Sequence, residues 1–380
     1  MRNRVGRFFI LIVIIAFNQG YLTNAQTRTE FNLPEVLGYK IFKCDFHMHT
    51  VFSDGEVWPT LRAEEAWRQG LDAFAITDHI EDYYIDYIPP ESRNQPYDLA
   101  KPYADKLGIN IIKGGEISKP VDPPGHLNAI FVEDVDKLNH PYYKDAVKAA
   151  IDQGGFVFWN HPGWKQHNYK SVWFNEQDTL YKNGWLHGIE IVNGIYYDPV
   201  AHQWCLDKGL TMMANTDAHL PISFEYDTDN GEHRTMTFVL AKDNRAESIK
   251  EALFNQRTIV YYQNIIIGEK KYLLPLVENS LEFSTKDVTF DGRIRQYIQI
   301  KNNSSIDYDL EGKEMIDELR FPYKLKLPAG KTTIMSISPK VKGQGGTKQV
   351  VIPFIVKNAL IAPGENLIFN INFNVTFINQ

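Results

Sequence analysis

Residues 44–54 read CDFHMHTVFSD, placing His47 and His49 two positions apart and Asp54 five residues beyond. In an extended strand alternate side chains share a face, so both imidazoles point the same way. At about 6–7 Å apart along the strand they can grip one divalent cation. A buried, hydrogen-bonded histidine pair would account for these residues equally well, so further ligands must be sought elsewhere. They recur beside other apolar stretches: Asp78-His79, Glu116, His161 and Asp217-x-His219, with His126 opening a stretch after a proline-rich loop. The remaining histidines, His140, His167, His187, His202 and His233, fall in helix-like, loop or strand-start contexts and read as surface residues.

The chemistry follows from the ligand types. Imidazole and carboxylate without cysteine suit Zn²⁺, Mn²⁺ or Fe²⁺ and make a cysteine-type structural zinc site improbable. His47, His49, Asp54, His79, Glu116, His126, His161, Asp217 and His219 are too many for one ion and suit three, with Glu116 bridging two. A multinuclear site generates hydroxide near neutral pH and clamps both oxygens of an in-line displacement. Hydrolysis of a phosphate ester is the reaction expected.

Such ligands need elements that converge. Between Lys40 and residue 262, strand-like stretches (41–49, 72–79, 109–118, 126–132, 156–162, 188–194 and 211–219) alternate mostly with helix-like segments, most of which end in glycine. Apolar strands alternating with helices indicate a parallel sheet covered by helices, here closed or nearly closed into a barrel. Sites in such folds form at the carboxyl ends of strands, which is where these ligand candidates stand. SKPVDPPG, between the third and fourth stretches, is too short for a crossover helix. An antiparallel or short-looped fourth strand would bring His126 to the same rim.

Residues 281–380 lose the helical segments and gain alternation, clearest in FNINFNVTF, where Phe369, Ile371, Phe373, Val375 and Phe377 share a face. With turn signals between its strands, residues 275–380 read as a small β-sandwich domain following a barrel at 40–262. It carries no cluster of catalytic residue types, so a structural or docking role is expected.

At the other end, Arg2, Arg4 and Arg7 precede the apolar run Phe8–Phe17, and Thr23-Asn24-Ala25 offers a cleavage site. Residues 1–25 read as a signal peptide, and a run of about 10 apolar residues is too short for a membrane anchor. The expected product is periplasmic or secreted. Cleavage would remove three arginines and no acid, taking the formal charge from −7 to −10. That balance argues against long nucleic acids and leaves small phosphate esters, short oligonucleotides included. Cys44 and Cys205 read as two buried free thiols. Nothing in the sequence fixes an oligomeric state.

The blocks H-x-H-T-x-x-S-D-G, T-D-H, G-x-E, the isolated His126 and His161, and T-D-A-H resemble the PHP (polymerase and histidinol phosphatase) family over residues 40–262. With its leader and β-rich tail, the chain is most similar to the Sb-PDE type of phosphodiesterase. The resemblance implies a distorted (β/α)₇ barrel and a trinuclear centre. His47, His49, Glu116 and Asp217 would hold one ion, Glu116 with His126 and His161 a second, and Asp54, His79 and His219 a third. Phosphate also needs positive partners. Lys165, in NHPGWK, and Arg234, in GEHRT, are candidates for gripping a non-bridging oxygen, beside Glu116 and Asp217 at the catalytic centre. Asp45 is a candidate acceptor for an imidazole N–H or a solvent-side residue. Asn193, Tyr196 and Tyr197 are candidate pocket walls, and His202 and His233 are the residues left for a general acid. The expected activity is phosphodiester hydrolysis by a metal-bridging hydroxide. A monoesterase, a short-oligonucleotide hydrolase or a non-catalytic binding protein on a degenerate barrel are the alternatives.

Overall fold

The computed structural model describes residues 26–119, 123–292, 294–340 and 345–378; the expected signal peptide lies outside them. The first half is built from β1 (Lys40–Asp45), α1 (Pro59–Arg68), β2 (Ala73–Ile76), α2 (Gln95–Leu107), β3 (Asn110–Ile117) and β4 (Leu127–Ile130). It continues with α3 (Tyr143–Asp152), β5 (Phe156–Trp159), α4 (Asn175–Lys182), β6 (Gly188–Asn193), β7 (Tyr196–Tyr197), α5 (Pro199–Lys208) and β8 (Thr211–Asn215). The last part of this half comprises α6 (Ile222–Glu225), β9 (Met236–Ala241), α7 (Ala246–Phe254), β10 (Thr258–Tyr262) and β11 (Ile265–Ile267).

β1 pairs parallel with β2, and β2 with β3; β5 pairs parallel with β6, and β6 with β8. β4 is antiparallel to both β3 and β5. This follows from the short loop before it, which leaves no length for a crossover. β9 returns antiparallel to β1, and β10 antiparallel to β9. The ring is completed where threonine side chains reach β8. Thr237 Oγ1 takes the Ala214 N–H at 2.9 Å and donates to the Ala214 carbonyl at 2.8 Å, and Thr258 Oγ1 donates to the Met212 carbonyl at 2.9 Å. Inside stand Phe46, Ala75, Ile112, Phe156, Phe158 and Met213, all buried. The architecture is therefore a distorted α/β barrel followed by a β-rich domain. Cys44 and Cys205 are free and buried.

The helix α8 (Lys270–Ser280) leads into β12 (Leu281–Phe283), β13 (Asp287–Asp291), β14 (Gln296–Asn302), β15 (Tyr308–Gly312) and β16 (Leu319–Arg320). β17 (Lys324–Leu327), β18 (Thr332–Pro339), β19 (Gly346–Ala362) and β20 (Glu365–Ile378) complete the chain. The all-β region thus begins at Leu281, not at 275, because KKYLLPLVENS forms a helix whose Leu273, Leu276 and Val277 are buried. One layer holds β12, β14, β18 and β16; the other holds β13, β20, β19, β15 and β17. Phe369, Ile371, Phe373 and Val375 face the interior as their alternation requires.

This sandwich is no loose appendage. β11 pairs parallel with β19 through Ile266–Ala359 and Ile267–Leu360, so the barrel sheet runs on into the sandwich. One buried apolar cluster spans Ile259, Tyr261, Leu273, Phe290 and Ile371. The segment before β1 adds a strap: Asn32 N–H donates to Ser305 Oγ at 2.8 Å, and Asn279 Nδ2 to the Glu35 carbonyl at 2.8 Å.

Candidate metal centre

All nine sequence-derived ligand candidates meet at one end of the barrel, in four overlapping groups. His47, His49 and Asp217 form one; His47, Glu116 and His161 a second; His79, Glu116 and His126 a third; His49, Asp54, His79 and His219 a fourth. Two details differ from the family pattern: His126 and His161 fall in separate groups joined through Glu116, and His49 also borders the Asp54 group.

Within each group the ligand atoms stand at the spacing that one shared ion would require. His47 Nε2 and His49 Nε2 are 3.1 Å apart, and each is 3.1 Å from Asp217 Oδ1. Glu116 Oε2 lies 3.2 Å from His49 Nε2 and 3.1 Å from His79 Nδ1, while its Oε1 lies 2.9 Å from His126 Nδ1. Asp54 stands 3.3 Å from His79 Nε2 and 3.4 Å from His219 Nε2. An ion with bonds of ~2.1 Å sets neighbouring ligand atoms roughly 3.0–3.4 Å apart, so these residues fit divalent ions.

Charge makes the same point. Burial alone would depress the imidazoles. In the metal-free protein, however, Asp217, Glu190 and Glu116 raise His47 well above its ordinary range, and Asp217 and Glu116 push His49 up to about 10. Burial raises Glu116, Asp54 and Asp217, yet the surrounding histidines overcome it and hold all three below the usual carboxylate range. Buried carboxylates gathered this closely demand positive charge. Protons supply it when metal does not.

Local structure explains why these atoms converge. Glu190, on β6 and buried, accepts from His47 Nδ1 at 2.8 Å, leaving the Nε2 lone pair to face inward. Its other oxygen takes the His161 N–H at 2.9 Å. His219 Nδ1 donates to the Asp217 carbonyl at 2.7 Å, which turns its Nε2 toward Asp54. Asp78 accepts from the Thr50 N–H at 2.6 Å and Ser53 Oγ at 2.7 Å, fixing the turn that carries Asp54. Gly55 is required there, since a Cβ would sit 2.6 Å from the His49 carbonyl carbon. His161 (φ 30°) and Asp217 (φ 55°) occupy the left-handed region, a strain of about 1–3 kcal/mol each that the surrounding bonds must offset.

Two buried arginines join the β1 and β8 strand ends. Arg62 donates to the carbonyls of His49 (2.9 Å), Ala218 (2.9 Å) and Leu220 (2.8 Å), with Glu65 at 3.0 Å balancing its charge. Arg234 pairs with Asp45, and Asp45 in turn accepts from Thr216 Oγ1 at 2.6 Å and the His47 N–H at 3.3 Å. Arg234 is therefore no free phosphate grip: it is 1 % exposed and its guanidinium is committed beneath the site. Asp45 is neither an imidazole acceptor nor a solvent-side residue, because it serves backbone and Arg234.

The centre opens into a cavity of about 960 Å³. Tyr84, Trp164, Tyr169, Tyr196 and Tyr197 line it, as do Asn193 and Lys170. The sequence candidate Lys165 is not among the lining residues; its ammonium lies 3.9 Å from the centre of the Trp164 ring, and Lys170 takes the place beside the cavity. The proposed acids His202 and His233 do not line it either. His202, read as a surface residue, is buried with Nδ1 2.8 Å from the Tyr197 hydroxyl. His233 stacks on Tyr261 at 3.9 Å and accepts the Asn264 N–H. His187 is half-buried rather than exposed, and burial lowers it to about 4. Glu190 escaped the sequence reading; its one signal was a lone acid between Ile189 and Ile191 in an apolar strand.

A family model described as an Ig-like domain, DUF5001, matches residues 281–372. Over 92% of its length the chain is 41% identical to a two-domain protein of Bacteroides vulgatus containing a predicted PHP-like metal-dependent phosphoesterase. All of that chain's crystal structure is covered, with a TM-score of 0.84. An uncharacterized protein of Methanocaldococcus jannaschii is 28% identical over 47% of this chain and 81% of its own length. The barrel and its His/Asp/Glu groups define a metal-dependent hydrolase of phosphate esters. The chain belongs to the two-domain PHP-like metal-dependent phosphoesterases.

Proposed function

We propose that the protein is an exported phosphodiesterase carrying three divalent transition ions (Zn, Mn or Fe), and that small phosphate diesters are its substrates. The observation that carries the reading is Glu116, whose two oxygens lie within 2.9–3.4 Å of His126, His79, His49 and His47 at the meeting point of the ligand groups. His47, His49, Glu116 and Asp217 would hold one ion, Glu116 with His126 and His161 another, and Asp54, His79 and His219 the third. When bound, such ions supply Lewis acidity and bring the pKa of coordinated water toward neutrality.

The chain's own residues do the rest. Glu190 fixes the His47 tautomer, Asn160 Nδ2 donates to Glu116 Oε1 at 2.7 Å and orients that carboxylate, and aromatic rings wall the cavity beside them. Lys170 is the Lys/Arg cation among the described lining residues. A singly charged diester asks less of that wall than a dianionic monoester does, and the apolar cavity beyond the ligands has room for a second ester group. The formal charge of −7 disfavours long nucleic acids. Among the described residues no helix is long and apolar enough to cross a membrane, and residues 1–25 have the pattern of a cleaved leader.

The test is turnover of bis(p-nitrophenyl) phosphate beside p-nitrophenyl phosphate, with and without chelator. The diester should be cleaved faster, and chelation should abolish cleavage reversibly. A preference for the monoester would overturn the diester reading. For export, the exported fraction should begin near Gln26; a start at Met1 contradicts it.

A further inference from the structure

Tyr169 and Tyr196 line the cavity yet are 82% and 78% exposed. Among the described residues neither ring stacks on another ring or carries a cation. Exposed aromatic rings scattered singly over a surface carry no message. These two instead stand on separate segments that open onto one cavity beside the metal ligands. Tyr169 lies in the β5–α4 connection, and Tyr196 in the hairpin after β6.

Those segments are fixed to one another. Ser171 Oγ donates to Asp198, and Asp198 also caps α5 by accepting the Val200 and Ala201 N–H groups at 2.9 and 3.0 Å. Trp164, which lines the same cavity, packs 4.8 Å from the His126 ring and 5.1 Å from the His161 ring. One cavity is thus lined by the His/Asp/Glu centre, an indole and two uncommitted phenol rings. Lys170, next to Tyr169, forms no ion pair among the described residues, so its charge is available to a ligand rather than to the protein.

We infer that Tyr169 and Tyr196 form a subsite that stacks an aromatic ring carried by one ester group of the substrate. Both are specificity residues, since neither belongs to the metal groups. The inference rests on the phosphodiesterase reading and narrows it to diesters bearing at least one aryl or heteroaryl substituent. Stacking on a phenol ring tolerates many ring types but not their absence. Discrimination should therefore be between ring-bearing and small alkyl esters, not among different rings.

Phosphonates test this cleanly, because the P–C bond is not hydrolysed and a single organic group reports on the subsite. The metal-loaded full chain is first checked for turnover of bis(p-nitrophenyl) phosphate. Failure there overturns the phosphodiesterase reading, and the subsite is then examined by calorimetric binding of the same phosphonates. Inhibition constants are measured for methyl-, cyclohexyl- and phenylphosphonate. Phenylphosphonate should bind at least about tenfold tighter than the methyl compound and tighter than the cyclohexyl one. In Tyr169→Ala/Tyr196→Ala that ratio should fall toward one with metal content unchanged, whereas Tyr169→Phe/Tyr196→Phe should preserve it. Equal constants in the wild type, or a ratio untouched by the double alanine variant, would overturn the subsite while leaving the phosphodiesterase reading in place.

Discussion

Replacing Arg62 by methionine tests whether the metal centre is held together from below. The guanidinium is fully buried and donates to three carbonyls, those of His49, Ala218 and Leu220, as well as to Glu65. Hydrogen bonds from a charged donor contribute about 1.5–3 kcal/mol each, but neighbours are not additive. Breaking one side of a buried ion pair costs about 3–5 kcal/mol, chiefly because the remaining charge is left unpaired. Glu65 would be that charge. A loss of about 4 kcal/mol is therefore expected. For a cooperative unit of 380 residues, at roughly 1–1.5 °C per kcal/mol, the melting temperature of the metal-loaded protein should fall by about 4–6 °C. Because His49, Asp217 and His219 flank the bonded carbonyls, bound metal should fall with it. Adding Glu65→Leu should restore part of the loss by removing the orphaned carboxylate, although the Ile222 N–H then loses its acceptor. A drop of under ~3 °C with full metal content would refute the view that Arg62 couples these strand ends.

Three further outcomes follow from the same geometry. Glu116→Ala should be far more damaging than Asp54→Ala, costing several orders of magnitude in diester turnover at saturating metal, since Glu116 borders two of the ion groups and Asp54 one; comparable residual activities would show the roles misassigned. In the metal-stripped protein the raised pKa of His49, about 10, means that its stabilising protonation is complete below the unfolded value of ~6.5 and is lost as pH climbs toward 10. Metal binding strengthens over the same range as protons leave, so the difference in melting temperature between loaded and stripped protein should widen from pH 6 to pH 9, and a constant difference would contradict this. Truncation after Gln263 removes β11 and its β19 partner together with α8, baring the buried faces of Ile259 and Tyr261; the fragment should aggregate, and a soluble, metal-loaded barrel would show that the shared sheet is dispensable.

The residues that announced the centre in the sequence were those whose type is rare in an apolar strand and whose place is a strand end. His47-x-His49, Glu116 and Asp217-x-His219 could be read because alternation and strand–helix rhythm fix which end they occupy. The antiparallel β4 was legible from the shortness of SKPVDPPG, and β20 from its alternation. Glu190 was not, because its partner His47 is 143 positions away and a single carboxylate has no period. Arg234 looked like a loop cation because Asp45, its partner, lies 189 positions upstream. Lys165 and Lys170 differ only in how their loop turns, and left-handed residues at Lys165, Asn168 and Tyr169 set that turn. The β11–β19 pairing was equally hidden, being a contact between strands about ninety residues apart whose patterns are each complete alone.

The central claim is three ions on one chain working on a diester. Titrating Mn²⁺ into the stripped full-length protein, while following bis(p-nitrophenyl) phosphate cleavage and counting bound metal by elemental analysis, addresses both parts at once. Activity should be absent without metal and should rise to saturation as the bound metal approaches three equivalents. Full activity at one equivalent or less, or cleavage undiminished by chelator, would contradict it.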